Sequence, residues 1–470
     1  MLENIRKSIE NRKDKIEKIS DQIWGYAELG HREVKSSRVL IQALKEENFQ
    51  VEEKVLKLPT AFIARYGHGH PVIGLLGEFD ALPNLSQKGS ITYKEAILDG
   101  ENGHGCGHNL IGSGALEAAL SIKDYLDSTG KEGTVIYYGC AAEETLGAKP
   151  FFAHYGVFNE CDLIYGWHPS FKNEIPATPH IGVKMKTYEF FGITSHAGSN
   201  PELGRSALDA CELMNVGVNY LREHIISSAR VHYAYLDVGG KAPNVVQDHA
   251  QLIYGIRAPK LDQIRDIERR IDNIAQGACL MTETKVKIAT KMGYADCDYN
   301  YIVNQVLSDC FELCGVNEYS EEEKAFAKAM VDNYTEDMKK NVASFQRKYS
   351  TRSLLHDSII TFDPCMSDQY IFGSTDVGDV GYVVPTGYFF AATRPLCSAG
   401  HTWYQTSCGK STIGYKGMHK AAEVMALAFE TFVEHPELVE KAKQEWKENY
   451  EGKYECMMKD IPLPLSEDRY

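Results

Sequence analysis

Ile5, Ile9, Ile16, Ile19 and Ile23 recur close to every 3.6 residues among charged neighbours, which predicts an amphipathic helix ending near Gly30. A second helix is expected over 36–47. From there the pattern alternates: apolar strand-like runs at 72–79, 134–140 and 162–166 are separated by helical stretches such as 113–126. That alternation predicts an α/β layer with a mostly parallel sheet. Between about Gly182 and Gly293 the order becomes strand, helix, strand, strand, helix, strand, over 183–192, 207–221, 229–238, 249–258, 261–281 and 284–291. This is the order of a small α+β sandwich of the split βαβ kind. The expected organisation is therefore a large α/β domain formed by 1–182 and 295–470, with a second domain, 183–294, inserted into it. A strand-like run at 381–391 would complete the larger sheet.

Parallel sheets place their ligands where strands hand over to loops or helices at their carboxyl ends. Here VIGLLGEF is followed at once by Asp80, TVIYYGCAA by Glu143 and Glu144, and CDLIYGW by His168. Each alone reads more readily as a helix cap, a solvated charge or a hydrogen-bonded loop residue. Three successive strands ending in carboxylate or imidazole at one edge weaken that reading.

Composition narrows the partners. Fifty basic against 65 acidic residues give a net charge of −15, which opposes attraction to nucleic acid or an anionic membrane and leaves a small molecule as the expected partner. The first twenty residues are charged throughout, without an apolar signal core, and no run of 18 apolar residues occurs, so a cytoplasmic location is expected. Most of the 12 cysteines lie singly in apolar segments, as reduced core cysteines do, and Cys310 and Cys314 read as two packed thiols on one helix face.

Cys106 is different. It lies in GHGCGHNLIGSG, residues 103 to 114, flanked by glycines and histidines and leading into a helix expected from near Ser113. Glycines allow close backbone approach to an ion, and a helix N-terminus favours a thiolate. Cys106 and His108 can face one metal, and Cys with His selects zinc-like ions; His104 reads as flanking the site. Glu143 and Glu144 diverge from one strand end, so that one can bind metal while the other faces a water. His168, before Pro169, and His401, in AGHT, are weak signals singly.

The segments GEFDALPNLSQ (77–87), GHGCGHN (103–109), AAEE (141–144), WHP (167–169), SHAG (195–198), APNVVQDHA (242–250), GSTDVGDVGYVVPT (373–386) and AGHTW (399–403) resemble, in this order, the M20 family of metallopeptidases, and within it the amidohydrolase branch. The match spans nearly the whole chain. The resemblance implies a di-metal hydrolase domain with an inserted lid and dimerisation domain, and two divalent metal ions per subunit, zinc or manganese. It makes Cys106, His108, Glu144, His168 and His401 the metal ligands, with Cys106 between the ions where many relatives use aspartate. Glu143 becomes the general base with Asp80 supporting it, and Glu78 stands where other branches place a metal-binding histidine.

The same resemblance makes His196 the donor to the tetrahedral oxyanion, Asn244 a substrate-facing amide, and the protein a homodimer through the inserted domain. Arg257 is a candidate substrate-carboxylate clamp, although an edge ion pair is the blander reading; the lid stretch KIATKMGYADCDYN lacks the arginine many relatives carry there, with Lys291 as a candidate substitute. The implied function is metal-dependent hydrolysis of the amide bond in a small N-acyl amino acid or aryl-amide conjugate of the p-aminobenzoyl-glutamate type, with a dipeptidase as the alternative. Two other readings are weighed: Cys106 as a nucleophile paired with a histidine, and a non-catalytic metal-binding scaffold, which would not need Glu143 beside Glu144.

Overall fold

The computed structural model describes residues 2–364 and 369–465; 365–368 and 466–470, which belong to the expected 295–470 segment, lie outside the described residues. Helices α1 (Leu2–Tyr26) and α2 (Val34–Glu46) lead into β1 (Gln50–Glu53), β2 (Phe62–His68) and β3 (Val72–Glu78), followed by α3 (His108–Thr129), β4 (Gly133–Cys140), α4 (Ala148–His154) and β5 (Leu163–Ser170). The inserted region holds β6 (Gly182–Phe191), α5 (Ala207–Leu221), β7 (Arg230–Asp237), β8 (His249–Ala258), α6 (Leu261–Thr282) and β9 (Lys285–Tyr294). Then come α7 (Tyr301–Cys314), α8 (Glu321–Asp332), α9 (Glu336–Lys348), α10 (Val377–Gly381), β10 (Thr386–Ala392), α11 (Trp403–Cys408), α12 (Thr412–Glu434) and α13 (Pro436–Tyr450).

The larger sheet runs β1-β2-β4-β3-β5-β10. β4, β3, β5 and β10 are mutually parallel neighbours, while β1 and β2 pair antiparallel at one edge. The mostly parallel α/β layer expected from the alternating pattern is the one observed. Its strands are buried on both faces: Tyr137, Tyr138, Tyr165 and Trp167 are fully enclosed. Two of these tyrosines satisfy their hydroxyls on helix carbonyls, Tyr137 on Gly112 at 3.1 Å and Tyr165 on Met425 at 2.9 Å, as a buried hydroxyl requires. The isoleucine stripe of α1 is buried, and α1 packs with α3 and α12.

The second sheet, β7-β8-β6-β9, is wholly antiparallel. It has its own core, in which Ala210, Met214 and Val218 of α5 and Ile264, Ile267 and Ile271 of α6 meet Tyr188, Leu252 and Ile256 of the strands. The segments entering and leaving this unit are joined to one another, since the His180 and Cys297 backbones exchange hydrogen bonds of 2.9 and 3.0 Å.

Three of the boundaries that differ from the sequence expectation have a local cause. Helix α3 begins at His108 rather than near Ser113, because Gly107, at φ +83°, turns the chain straight into the helix. β5 continues past Gly166 through His168 and Pro169, which pair with Phe390 and Ala391; a residue before proline favours extended backbone, so the proline that argues against helix at His168 is compatible with strand. The run expected as a strand from 381 instead begins at Thr386, just after Pro385, with 377–381 forming α10.

Candidate metal centre and active site

Because β4, β3 and β5 lie side by side, the groups at their carboxyl ends converge. Asp80 follows β3, Glu143 and Glu144 follow β4, and His168 lies within the end of β5. The loop before α3 brings Cys106 and His108 over the same edge, and the backbone N–H of His401 donates to the Gly105 carbonyl at 2.7 Å, which fixes the 399–402 loop to the cysteine loop.

The side chains form overlapping donor sets. Cys106, His108 and His168 present one potential ligand atom each, all within 4.8 Å of one another; so do Cys106, Glu144 and His401; and so do Glu78, His108 and Glu143. Cys106 thus belongs to two sets, and its Sγ lies 3.2 Å from His168 Nε2. His401 Nε2 lies 3.3 Å from Glu144 Oε1. Nε2 of His108 is buried with no hydrogen-bond partner among the described residues, which is costly for an enclosed polar atom unless a ligand takes it up. Soft sulfur, imidazole and carboxylate donors converging with an unsatisfied lone pair fit a divalent metal ion.

The remaining ring nitrogens are committed elsewhere. His108 Nδ1 is 2.8 Å from Asp80 Oδ1, while the other Asp80 oxygen accepts the Glu144 backbone N–H at 3.0 Å. Asp80 therefore holds His108 and the Glu144 backbone, and among the described residues it makes no hydrogen bond to the Glu143 side chain. His168 Nδ1 donates to the Pro169 carbonyl at 2.8 Å. Both contacts leave Nε2 for a metal.

The two adjacent glutamates diverge. Glu143 Oε1 accepts from Thr375 Oγ1 at 3.3 Å, whereas Glu144 turns to His401. The turn that separates them places Ala142 at φ +61°, and His401 itself is at φ +55°; such left-handed backbone costs a non-glycine residue about 1–2 kcal/mol and is concentrated at functional sites. Ala142 is held there by Glu33, whose Oε1 accepts its N–H at 2.8 Å. Burial and neighbouring Asp80 push the Glu33 carboxyl up to about 8.

Electrostatics follow the same arrangement. Burial works against ionisation of Cys106, but the His168 and His108 imidazoles outweigh it and hold the thiol well below its usual range. His401 is raised to about 10 by its contacts with Cys106 and Glu144. Burial, then Cys106, pushes Glu144 up to about 7; burial, then Glu78 and Asp376, pushes Glu143 well up. His104 joins none of the donor sets: its Nε2 meets the Ile23 carbonyl at 3.0 Å, and burial lowers it to about 4, so it is a neutral anchor to α1.

Sequence reasoning missed Lys149. Its fully buried ammonium donates to Glu78 Oε1 at 2.7 Å and Asp376 Oδ1 at 2.6 Å. Glu78, at the end of β3, is thereby ion-paired, with its other oxygen 3.5 Å from His108 Nε2. A lysine in the apolar stretch following AAEE was the available signal.

In the inserted domain, His196 is exposed, and among the described residues its imidazole bonds only within its own loop. Its Nδ1 accepts the backbone N–H groups of Gly198 and Ser199 at 3.1 and 2.9 Å, so in the neutral ring Nε2 carries the proton. Asn244 is tied to this loop through its carbonyl, which accepts the Ala197 N–H at 2.9 Å. Arg257 makes no edge ion pair among the described residues: it donates to Ser374 Oγ at 2.9 Å and the Phe372 carbonyl at 3.3 Å, next to the Thr375 that holds Glu143. Lys291 is exposed on β9.

An α/β layer with this donor set at its carboxyl edge fits a metal-dependent hydrolase, and the proteins it resembles make it one that acts on amide bonds. No family model matches the chain, but it is 37% identical to a subunit of p-aminobenzoyl-glutamate hydrolase from Escherichia coli, over 97% of this chain and 98% of that one. It is 27% identical to Xaa-Arg dipeptidase of Mus musculus, over 93% and 90% of the two chains. Its fold resembles a dinuclear metal-binding peptidase of the M20 family from Bacillus subtilis, with a TM-score of 0.60, 15% identity and coverage of 90% and 99%. The chain belongs to the M20 family. Among the described residues no helix is long and apolar enough to cross a membrane.

Proposed function

We propose that the protein hydrolyses the amide bond of a small N-acyl amino acid or aryl-amide conjugate of the p-aminobenzoyl-glutamate type, using two divalent ions, zinc or manganese. The observation that carries this reading is Cys106, which belongs to two three-donor sets at once. One ion would be held by Cys106, His108 and His168, and the other by Cys106, Glu144 and His401. Such a pair lowers the pKa of a water and polarises the amide carbonyl. Glu143, held by Thr375 and aimed at the same edge, takes the proton of the attacking water and delivers it to the leaving amine. Asp80 orients His108 and the Glu144 backbone.

His196 offers Nε2–H to the developing oxyanion, Asn244 faces the substrate beside it, and Arg257 reaches across to the catalytic domain to meet a substrate carboxylate. Because His196 is exposed in its own chain, it serves the partner's site in a homodimer built on the inserted domain. The Escherichia coli relative is named as one subunit of its enzyme, so a related but different chain is the other assembly to test. Xaa-Arg dipeptidase as a relative supports a second reading, cleavage of dipeptides.

The test is a metal analysis combined with a screen of N-acyl amino acids, aryl-glutamates and dipeptides. Aryl-glutamates or N-acyl amino acids should show the highest kcat/KM. A clear preference for dipeptides would replace the first reading by the second, and hydrolysis of none of them would sink both.

A further inference from the structure

Four of the five donors at the metal centre come from three segments that are far apart in the chain: Cys106 and His108 at the start of α3, His168 near the end of β5, and His401 before α11. One side chain bonds to the framework of two of them and reaches the third through Gln405. Arg394, 7% exposed, donates through Nη1 to the Pro169 carbonyl at 3.0 Å, through the same nitrogen to Gln405 Oε1, and through Nε to the Ser398 carbonyl at 3.3 Å. The Pro169 carbonyl is the same oxygen that receives His168 Nδ1–H at 2.8 Å. Ser398 and Gln405 flank His401 on either side. Gln405 also lies over Gly107, between Cys106 and His108: a Cβ there would come within 2.4 Å of Gln405 Nε2 and 3.1 Å of Pro169 Cγ.

A buried guanidinium is expensive to desolvate and is normally matched by a carboxylate. Among the described residues Arg394 pairs with none, and burial lowers its pKa from the usual guanidinium value. Its neutral acceptors are loop oxygens that a lone lysine or glutamine could not satisfy together, because only the planar fork presents several donors in fixed directions.

We propose that Arg394 is a positioning residue for the metal centre. Through Pro169, Gln405 and Ser398 it fixes the separation of His168, the Cys106–His108 loop and His401, and hence the spacing of the two donor sets that share Cys106, without itself touching ion or substrate. This rests on the two-ion reading given above.

The test titrates metal-free protein with cobalt(II), whose thiolate-to-metal absorption reports on Cys106, alongside the thermal midpoint of the metal-free protein. Arg394→Gln should stay folded, lose roughly 10–100-fold in cobalt affinity, the usual cost of removing a residue that orients ligands, and show an altered thiolate band. Arg394→Lys, which keeps the charge but not the fork, should recover only part of the affinity. A role confined to fold stability would lower the thermal midpoint and leave the cobalt affinity and band unchanged, and that result overturns the proposal. Should Arg394→Gln fail to fold, Gln405→Ala removes a single strut and should still weaken cobalt binding by roughly threefold or more; wild-type affinity in that variant also overturns it. Wild-type protein that takes up no cobalt would instead overturn the two-ion reading itself.

Discussion

Sγ of Cys106 and Nε2 of His168 lie 3.2 Å apart, and the histidine's other nitrogen is already committed to the Pro169 carbonyl. The same two atoms could form a nucleophile and its base, or two ligands of one ion. What favours ligation is the company: His108 completes one donor set with them, and Glu144 and His401 complete another around the same sulfur.

The two chemistries separate under chelation and alkylation. Chelation should abolish hydrolysis, and zinc, manganese or cobalt should restore it. Iodoacetamide should modify Cys106 rapidly in metal-free protein, because the neighbouring imidazoles lower the pKa of its thiol, and slowly once metal is returned. Full activity in verified metal-free protein, with loss on alkylation, would make Cys106 a nucleophile instead.

Glu143 and Glu144 are neighbours in sequence with different surroundings, one held by Thr375 and the other 3.3 Å from His401. Glu143→Gln should remove most of kcat, on the order of 10²–10⁴-fold for a lost acid–base group, with metal content near normal. Glu144→Gln should lower metal occupancy. Metal loss in Glu143→Gln with turnover per remaining ion preserved would exchange the two roles.

Much of this was legible in the chain because it depends on local rules. The period of α1, the alternation that produced the sheet, and the placement of Asp80, Glu143 and His168 at strand ends each follow from a few neighbouring residues. The helix start at His108 was missed because it depends on Gly107 adopting positive φ. His168 read as a loop residue because its strand pairing with Phe390 comes from a segment more than two hundred residues later. Lys149 and Arg394 were silent for a further reason: a buried cation is indistinguishable in sequence from a surface one until its partners, here Glu78 and Asp376 or the Pro169 and Ser398 carbonyls, are brought to it by the fold.

Far from the metal centre, His419 of α12 joins Glu117 of α3 at 2.7 Å and Glu17 of α1 at 3.2 Å. Burial lowers the imidazole, but the two carboxylates outweigh it and raise it to about 9. The folded chain therefore binds this proton more tightly than the unfolded chain, whose histidine titrates near about 6.5. The resulting stabilisation is complete below about pH 6.5 and is lost as pH rises through about 9. Urea unfolding of the wild type should show stability falling across that window. His419→Gln should cost about 1–3 kcal/mol at the acidic end and flatten the slope; an unchanged slope would mean the triad does not titrate in this range.

Nε2 of His196 can act only if it reaches a carbonyl oxygen at the metal centre, yet within its own chain the imidazole is exposed and committed through Nδ1 to Gly198 and Ser199. The proposed two-fold assembly through the inserted domain would make its reach into the neighbouring site reciprocal. Removing such an oxyanion donor costs about 2.7–4 kcal/mol of transition-state stabilisation, so His196→Ala should be nearly inactive while holding its metals. Glu143→Ala should be inactive as well. When the two variants are unfolded and refolded together, a mixed dimer sets intact Glu143 of one chain opposite intact His196 of the other. Random pairing makes about half the dimers mixed, each with one competent site, so activity should return to about a quarter of wild type. No recovery in proven mixed dimers would place His196 in its own chain's site or outside the chemistry, and mixed dimers that never form would point to a different chain as the partner.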